Sequence, residues 1–201
     1  MARLALNKSS LSKLTRQRGT FERFLPSLDL KRKQLMAERA RAQAAVQRTG
    51  QAMAALRERV AGRLPMLANR EIELADLVRL KGLRLGEENV VGTRLPMLQG
   101  VEVQRRDYGY LEKPHWVDRL SDELTRMLEL HVRLTVERRR AALLEEAVRK
   151  VTQRVNLFEK VLIPRAKEHI RKIRIYLSDA ERAAVVRSKI AKRKRAVEGA
   201  T

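Results

Sequence analysis

Two long stretches of the chain repeat apolar residues at alternating steps of three and four. The first spans residues 8–63. Leu11, Leu14, Phe21, Leu25, Leu28 and Leu35 open the series, and Ala42, Val46, Thr49, Met53, Leu56 and Val60 continue it. Arg18, Arg32 and Arg39 occupy the same register. Arginine weakens an apolar seam but fixes its register, and its aliphatic stem still packs. The second stretch starts at Trp116 and runs to Val197. It passes through Leu120, Leu124, Met127, His131, Leu134, Leu143, Leu144 and Val148. It then follows Val151, Val155, Phe158, Leu162, Ala166, Ile170, Ile173, Leu177, Ala180 and Ala184. This spacing predicts two helices that share a coiled-coil seam. A helix over the whole second stretch would be on the order of 120 Å long, so it needs a partner along most of its length.

The alternation slips once, where Leu162 lies four residues from both Phe158 and Ala166. Such a stutter unwinds a supercoil locally. Pro164 sits in the slip and is expected to bend the helix without ending it, because the seam resumes beyond. Pro26 predicts a kink in the first helix, or a break into a short and a long piece. Gly62 and Pro65 mark the first helix's end.

Between the long stretches the period changes. Met66 to Lys81 reads as a short amphipathic helix on Leu67, Ile72, Leu74, Leu77, Val78 and Leu80, stopped at Gly82. Gly86, Gly92, Pro96 and Gly100 then break any helix. Val90, Val91, Thr93 and Leu95, followed by Val101 and Val103, predict a β-hairpin with its turn near Leu98-Gln99-Gly100. Pro114 suits the first turn of the last helix. The expected fold is dominated by α-helix: a long antiparallel two-helix coiled coil with a small middle region of one short helix and a hairpin. Residues 1–63 form its first helix, 64–113 the middle and 114–201 the second helix and tail, all in one structural domain.

Composition fits a thin core. Of 201 residues 3% are aromatic and 34% charged, which suits two packed helices with wet outer faces. Absence of Cys excludes disulfides and thiolate metal sites. The formal charge of +21 calls for an acidic partner, whether protein, nucleic acid or anionic lipid. No apolar run approaches the ~20 residues that span a bilayer, and the N-terminus lacks a signal peptide's apolar core, so a cytoplasmic location is expected. No glycine-rich phosphate loop is present. His115, His131 and His169 have no second ligand at metal spacing, and His131 falls on the seam. Glu87-Glu88 and Glu145-Glu146 read as solvated charge. With no nucleophile–base set either, no active site, cofactor or metal is expected, and an enzyme is the least supported class.

The run Arg154-Val155-Asn156-Leu157-Phe158-Glu159-Lys160-Val161-Leu162-Ile163-Pro164-Arg165 resembles the C-terminal signature of the D subunit of V-type (V/A-type) ATPases, in its bacterial form. Asn7-Lys8-Ser9-Ser10-Leu11 and Leu30-Lys31-Arg32-Lys33-Gln34-Leu35-Met36 are similar to that family's N-terminal motifs. Pro26 departs from the family's uninterrupted first helix. The resemblance implies a rotary motor's central stalk: a shaft inside a hexamer of A and B subunits, where ATP is made or hydrolysed. It implies a funnel-like subunit on the ion-translocating membrane ring, proton or sodium, and a small F subunit carried on the side. Such a chain would sit at the cytoplasmic face of the membrane through its complex. Partner contacts are then expected at Lys8, Leu11 and Leu14 with Arg182, Arg187, Lys189 and Lys192 at the tip. They are expected also at Val90, Val91, Val101 and Val103 on the hairpin, and at Arg154, Asn156 and Pro164 in the signature run. A basic coiled coil that binds nucleic acid or an anionic membrane surface is the competing reading; scarce aromatics and a narrow seam count against it.

Overall fold

The computed structural model of the chain describes residues 5–68, 74–109 and 113–198. Helix α1 spans Lys8–Arg63, strand β1 Val78–Val90 and strand β2 Thr93–Arg105. Helix α2 covers Trp116–Leu157, and a π-turn at Phe158–Leu162 leads into helix α3, Ile163–Glu198. The chain divides into two compact units, one of Lys31–Lys150 and one of Met1–Leu30 with Val151–Thr201. Each has its own core.

In the unit of residues 31–150, α1 and α2 run antiparallel. Val60 and Leu64 pack with Val117, Leu120 and Leu124, whereas Ala42 and Ala45 share a groove with Val136 and Arg140. Leu35, Ala42, Thr49, Met53 and Leu56 are the buried positions of α1 here, in the register the spacing predicts. On α2 the register differs at one place. His131 is exposed and Val132 is buried. A straight helix drifts ~20° per heptad against a 3.5-residue repeat, so a neighbour takes over the seam. Arg39 is half-buried and its Nε has no hydrogen-bond partner, a donor held at the edge of the seam. α1 ends two residues before Pro65, which starts a 3-10 turn, Pro65–Ala68. The residue before a proline is pushed out of the α region, which ends the helix there.

The hairpin departs from expectation. Its turn is Val91-Gly92, with φ of 52° and 77°, closed by the Val90–Thr93 pair. Positive φ at both central residues is the two-residue turn that matches strand twist. The expected turn at Leu98-Gln99-Gly100 is instead a bulge: Arg84 faces Gly100, Leu85 faces Leu98, and Gln99 is left over. Glycine in a strand marks bulges as well as turns. Val101 and Val103 accordingly pair with Leu83 and Leu80. The short helix expected over 66–81 is also corrected. The 3-10 turn covers 65–68, Ile72 lies outside the described residues, and Val78 to Lys81 already belong to β1. Pro96 is tolerated in β2 because a two-stranded sheet has an unpaired edge on each strand.

In the other unit, α1 is antiparallel to the later helix. Phe21 meets Phe158, Glu22 meets Lys167 at 3.7 Å, and Lys8 meets Glu181 at 3.6 Å. Asn7 caps α1 by accepting the Ser10 amide at 2.7 Å. Leu11, Leu14, Phe21, Leu25 and Leu28 are half-buried along its inner face. Arg18 joins them, with Nε 3.4 Å from Glu22 Oε2. Opposite lie buried Val151, Val155, Ile163, Ala166, Ile170 and Ile173. Helix α1 continues through Pro26 without a break. At the slip the seam residue is Ile163, and Leu162 is only half-buried. The π-turn supplies the reason: the Ile163 amide donates to the Phe158 carbonyl, five residues back. Beyond Leu177 the expected seam residues Ala180 and Ala184 are exposed.

Candidate partner-binding surfaces

The first surface is the end of α3. From Ser178 to Arg195 every residue is exposed. Because Lys8 pairs with Glu181, the helix from Val185 onward extends past the first turn of α1. Arg182, Arg187, Lys189 and Lys192 lie on this end, followed by Arg193, Lys194 and Arg195, with no acid among residues 182–195. Val185, Val186 and Ile190 are exposed among them, as are Ile175 and Tyr176 before them. At ~100° per residue, Ile175 and Val186 face away from the seam, and Tyr176 and Val185 fall on opposite flanks. Apolar and basic groups therefore surround the helix, where docking to one side would leave a single stripe. Lys8 is exposed beside Glu181, and Leu11 and Leu14 point into the seam as half-buried residues.

The second surface is the hairpin, in the unit of residues 31–150. It is fixed to the helices at both ends. Near the tip Leu95 is fully buried, and Glu88 Oε2 accepts from Arg140 Nη2 at 2.6 Å. At the root Arg105 reaches Asp122 at 2.6 Å, and the Tyr108 hydroxyl donates to Asp118 at 2.5 Å. That bond to a neighbouring carboxylate pushes the Tyr108 pKa up to about 12. Asp76, in turn, is held below the usual carboxylate range by its bond to Arg79. The predicted contact residues Val90, Val101 and Val103 are half-buried, and Val91 is in the turn. The residues that protrude are Leu80, Leu83, Leu85 and Met97. Sequence reasoning missed them because it assigned Leu80 to a helix and began the hairpin's first strand only at Val90; pairing across β2 was the missing signal. A groove of about 530 Å³ beside β2 is floored by Leu56, Leu98, Val101 and Leu130, with Arg59, Arg126 and Arg133 around it.

The signature run has a structural role of its own. Arg154 is exposed in the last turn of α2, Asn156 is half-buried, and Pro164 is exposed at the second position of α3. Val155 is buried and Phe158 packs edge-on against Phe21, ring centres 5.3 Å apart. The run thus builds the π-turn and the seam around it, and does not join the α3 end.

A family model for the ATP synthase D subunit matches residues 10–193, almost the whole chain, hairpin and π-turn included. The chain belongs to the ATP synthase D subunit family. It is similar to the V-type ATP synthase D subunit of Borreliella burgdorferi, 32% identical over 192 residues that cover 96% of this chain and 95% of that one. The corresponding protein of Chlamydia felis is 32% identical over 197 residues, covering 96% and 92% of the two chains. That of Chlamydia muridarum is 32% identical over 199 residues, covering 96% of each. No helix among the described residues of this family member is long and apolar enough to cross a membrane.

Proposed function

We propose that the chain is the non-catalytic central shaft of a V-type ATPase. It transmits torque between a hexamer of A and B subunits, which hydrolyses or makes ATP, and an ion-translocating membrane ring. It assembles with other subunits of that complex and lies at the cytoplasmic face of the membrane through them. Family membership supports the complex, and one observation supports the mechanical role: the end of α3 presents apolar and basic groups on all sides. Exposed apolar residues set among cations on several sides of a helix suit a partner that surrounds it better than one that takes a single stripe. A ring supplies that enclosure. Its many exposed cations are individually weak and screened, so none holds the helix at one angle. Leu11, Leu14, Arg182, Arg187, Lys189 and Lys192 are assigned to this bearing. The hairpin, through Leu80, Leu83 and Leu85 with Val101 and Val103, is assigned to the small F subunit, and the funnel-like subunit links the assembly to the membrane ring.

The chain has no cysteine, which makes the test direct. Val186→Cys, paired with a cysteine on the inner wall of the A/B ring, should form a disulfide under oxidation. ATP turnover should then stop and return on reduction. A cross-linked complex that turns over at the unlinked rate would show that the α3 end does not rotate in the ring.

A further inference from the structure

Leu162 and Ile163 are adjacent apolar residues that compete for one place in the seam. An uninterrupted α-helix puts Leu162 there, in two successive steps of four. The π-turn puts Ile163 there, in a step of five from Phe158 and a step of three to Ala166, and leaves Leu162 half-buried. Either path arrives at the same downstream residues, Ala166, Ile170 and Ile173. They differ in where the phase error goes. Eight residues at ~100° each overshoot two full turns by ~80°. The α path spreads that error into the supercoil; the π path absorbs it in one turn.

Pro164 tilts the balance. In a regular α-turn its ring would press on the Lys160 carbonyl, which has also lost its amide donor. Widening the preceding turn relieves the clash. The edge-on contact of Phe158 with Phe21 holds the start of the turn in place from the α1 side.

We propose that residues 158–164 are a two-state torsional joint. Ile163 fills the seam in the π form and Leu162 fills it in the α form. Conversion moves a twist of ~80° between one local turn and the neighbouring supercoil. Two packings of one sequence that differ by little free energy are the requirement for such a device. Its use as a compliant element under torque rests on the shaft reading; its two states do not.

The test uses the full chain alone, so it stands apart from assembly into an ATPase. Residue-resolved hydrogen exchange should show the amides of Val161, Leu162 and Ile163 exchanging at least ~10-fold faster than those of Ile170 to Ile173, because a converting turn opens its bonds. Pro164→Ala should bring the two sets within ~3-fold by favouring the α form. In the unmodified chain Ile163→Ala should lower Tm by on the order of 5 °C more than Leu162→Ala does. In the Pro164→Ala background that order should reverse. Ile163→Val against Leu162→Val gives the same comparison at smaller amplitude if an alanine variant does not fold. Uniform exchange in the unmodified chain would overturn the proposal, and so would the same order of melting temperatures in both backgrounds.

Discussion

The unit of residues 31–150 and the unit of residues 5–30 with 151–198 are built on the same seam but finished differently. In the first, the helix pair carries a second layer. Leu95 of the hairpin is as buried as Leu35 and Leu144 of the helices, and Leu77 and Val117 complete the same kind of core. In the second, buried side chains form one file, from Val151 to Ile173, and from Ser178 to Arg195 the helix is exposed. Polar contacts differ in what they join. Glu88–Arg140 and Arg105–Asp122 tie a strand to a helix, whereas Glu22–Lys167 and Lys8–Glu181 are longer pairs between two helices. The contrast teaches that stability and exposure are allotted by region. A covered helix pair is a platform that keeps its own shape. A bare pair with an exposed end keeps its apolar groups for something else.

The strongest way to break this contrast is to strip the cover. Leu95→Ala should destabilise the chain by about 3 kcal/mol, the cost of a cavity at a fully buried leucine. Ile175→Ala, at an exposed residue of the other unit, should stay within ~0.5 kcal/mol. Denaturant melts of the two variants check both. Equal losses would mean that the hairpin adds no core. A smaller effect tests the polar staple: Arg140→Ala should cost ~1–2 kcal/mol, because Arg140 is three-quarters covered and its loss leaves Glu88 without that bond. A double-mutant cycle with Glu88→Ala isolates the pairwise part, and additive losses would remove the staple from the account.

The places where sequence and structure part have physical causes. The α1 seam was readable residue by residue from Leu11 to Val60, since a three-four alternation has only one structural use at that length. β1 was not. Its covered residues are Val78, Gly82, Gly86 and Val90, every fourth position, and a bulge at Lys81 interrupts the two-residue period. The expectation of a helix over 66–81 rested on Leu67, Ile72, Leu74, Leu77, Val78 and Leu80, and of these Val78 and Leu80 lie in β1. The turn was misplaced because Val91 is a residue that turns of this type avoid, while Gly100 advertised a turn and made a bulge. At the stutter the spacing alone could not choose between Leu162 and Ile163, since a π-turn leaves no mark beyond an adjacent apolar pair and a proline. Of the surfaces, the α3 end was legible in its charge. Of the leucines of β1, Leu80 was hidden by the wrong element, and Leu83 and Leu85 by a strand expected to start only at Val90.

Val91 sharpens the comparison from the covered side. A β-branched residue at positive φ carries a backbone penalty that asparagine largely avoids. Val91→Asn should therefore stabilise the chain by ~1 kcal/mol, raising Tm by ~2–4 °C. A loss instead would mean that half-buried Val91 contributes more by packing than its conformation costs.

The smallest expected effect concerns the root of the hairpin. The Tyr108 hydroxyl donates to Asp118, and its pKa in the folded chain is raised to about 12 from an ordinary value near 10. The bond exists while the hydroxyl keeps its proton. A group whose folded pKa is raised contributes stability that is complete below the unfolded pKa and is lost as pH climbs through the folded one. The window is therefore pH 10 to about 12. Tyr108 lies near the surface, where solvent screens the pair, so the loss should be a few tenths of a kcal/mol. Tyr108→Phe should remove that slope and leave the acid side unchanged. There the Asp76–Arg79 bond works in the opposite sense, its contribution present above the unfolded aspartate pKa and lost as pH falls through the lowered one. Stability of the two proteins measured from pH 9 to 12 should differ by a constant amount up to pH 10, and the difference should close between pH 10 and about 12. Parallel curves would show that the hairpin's root is held by Arg105–Asp122 and by packing around Leu77 and Val117, with no share for the tyrosine.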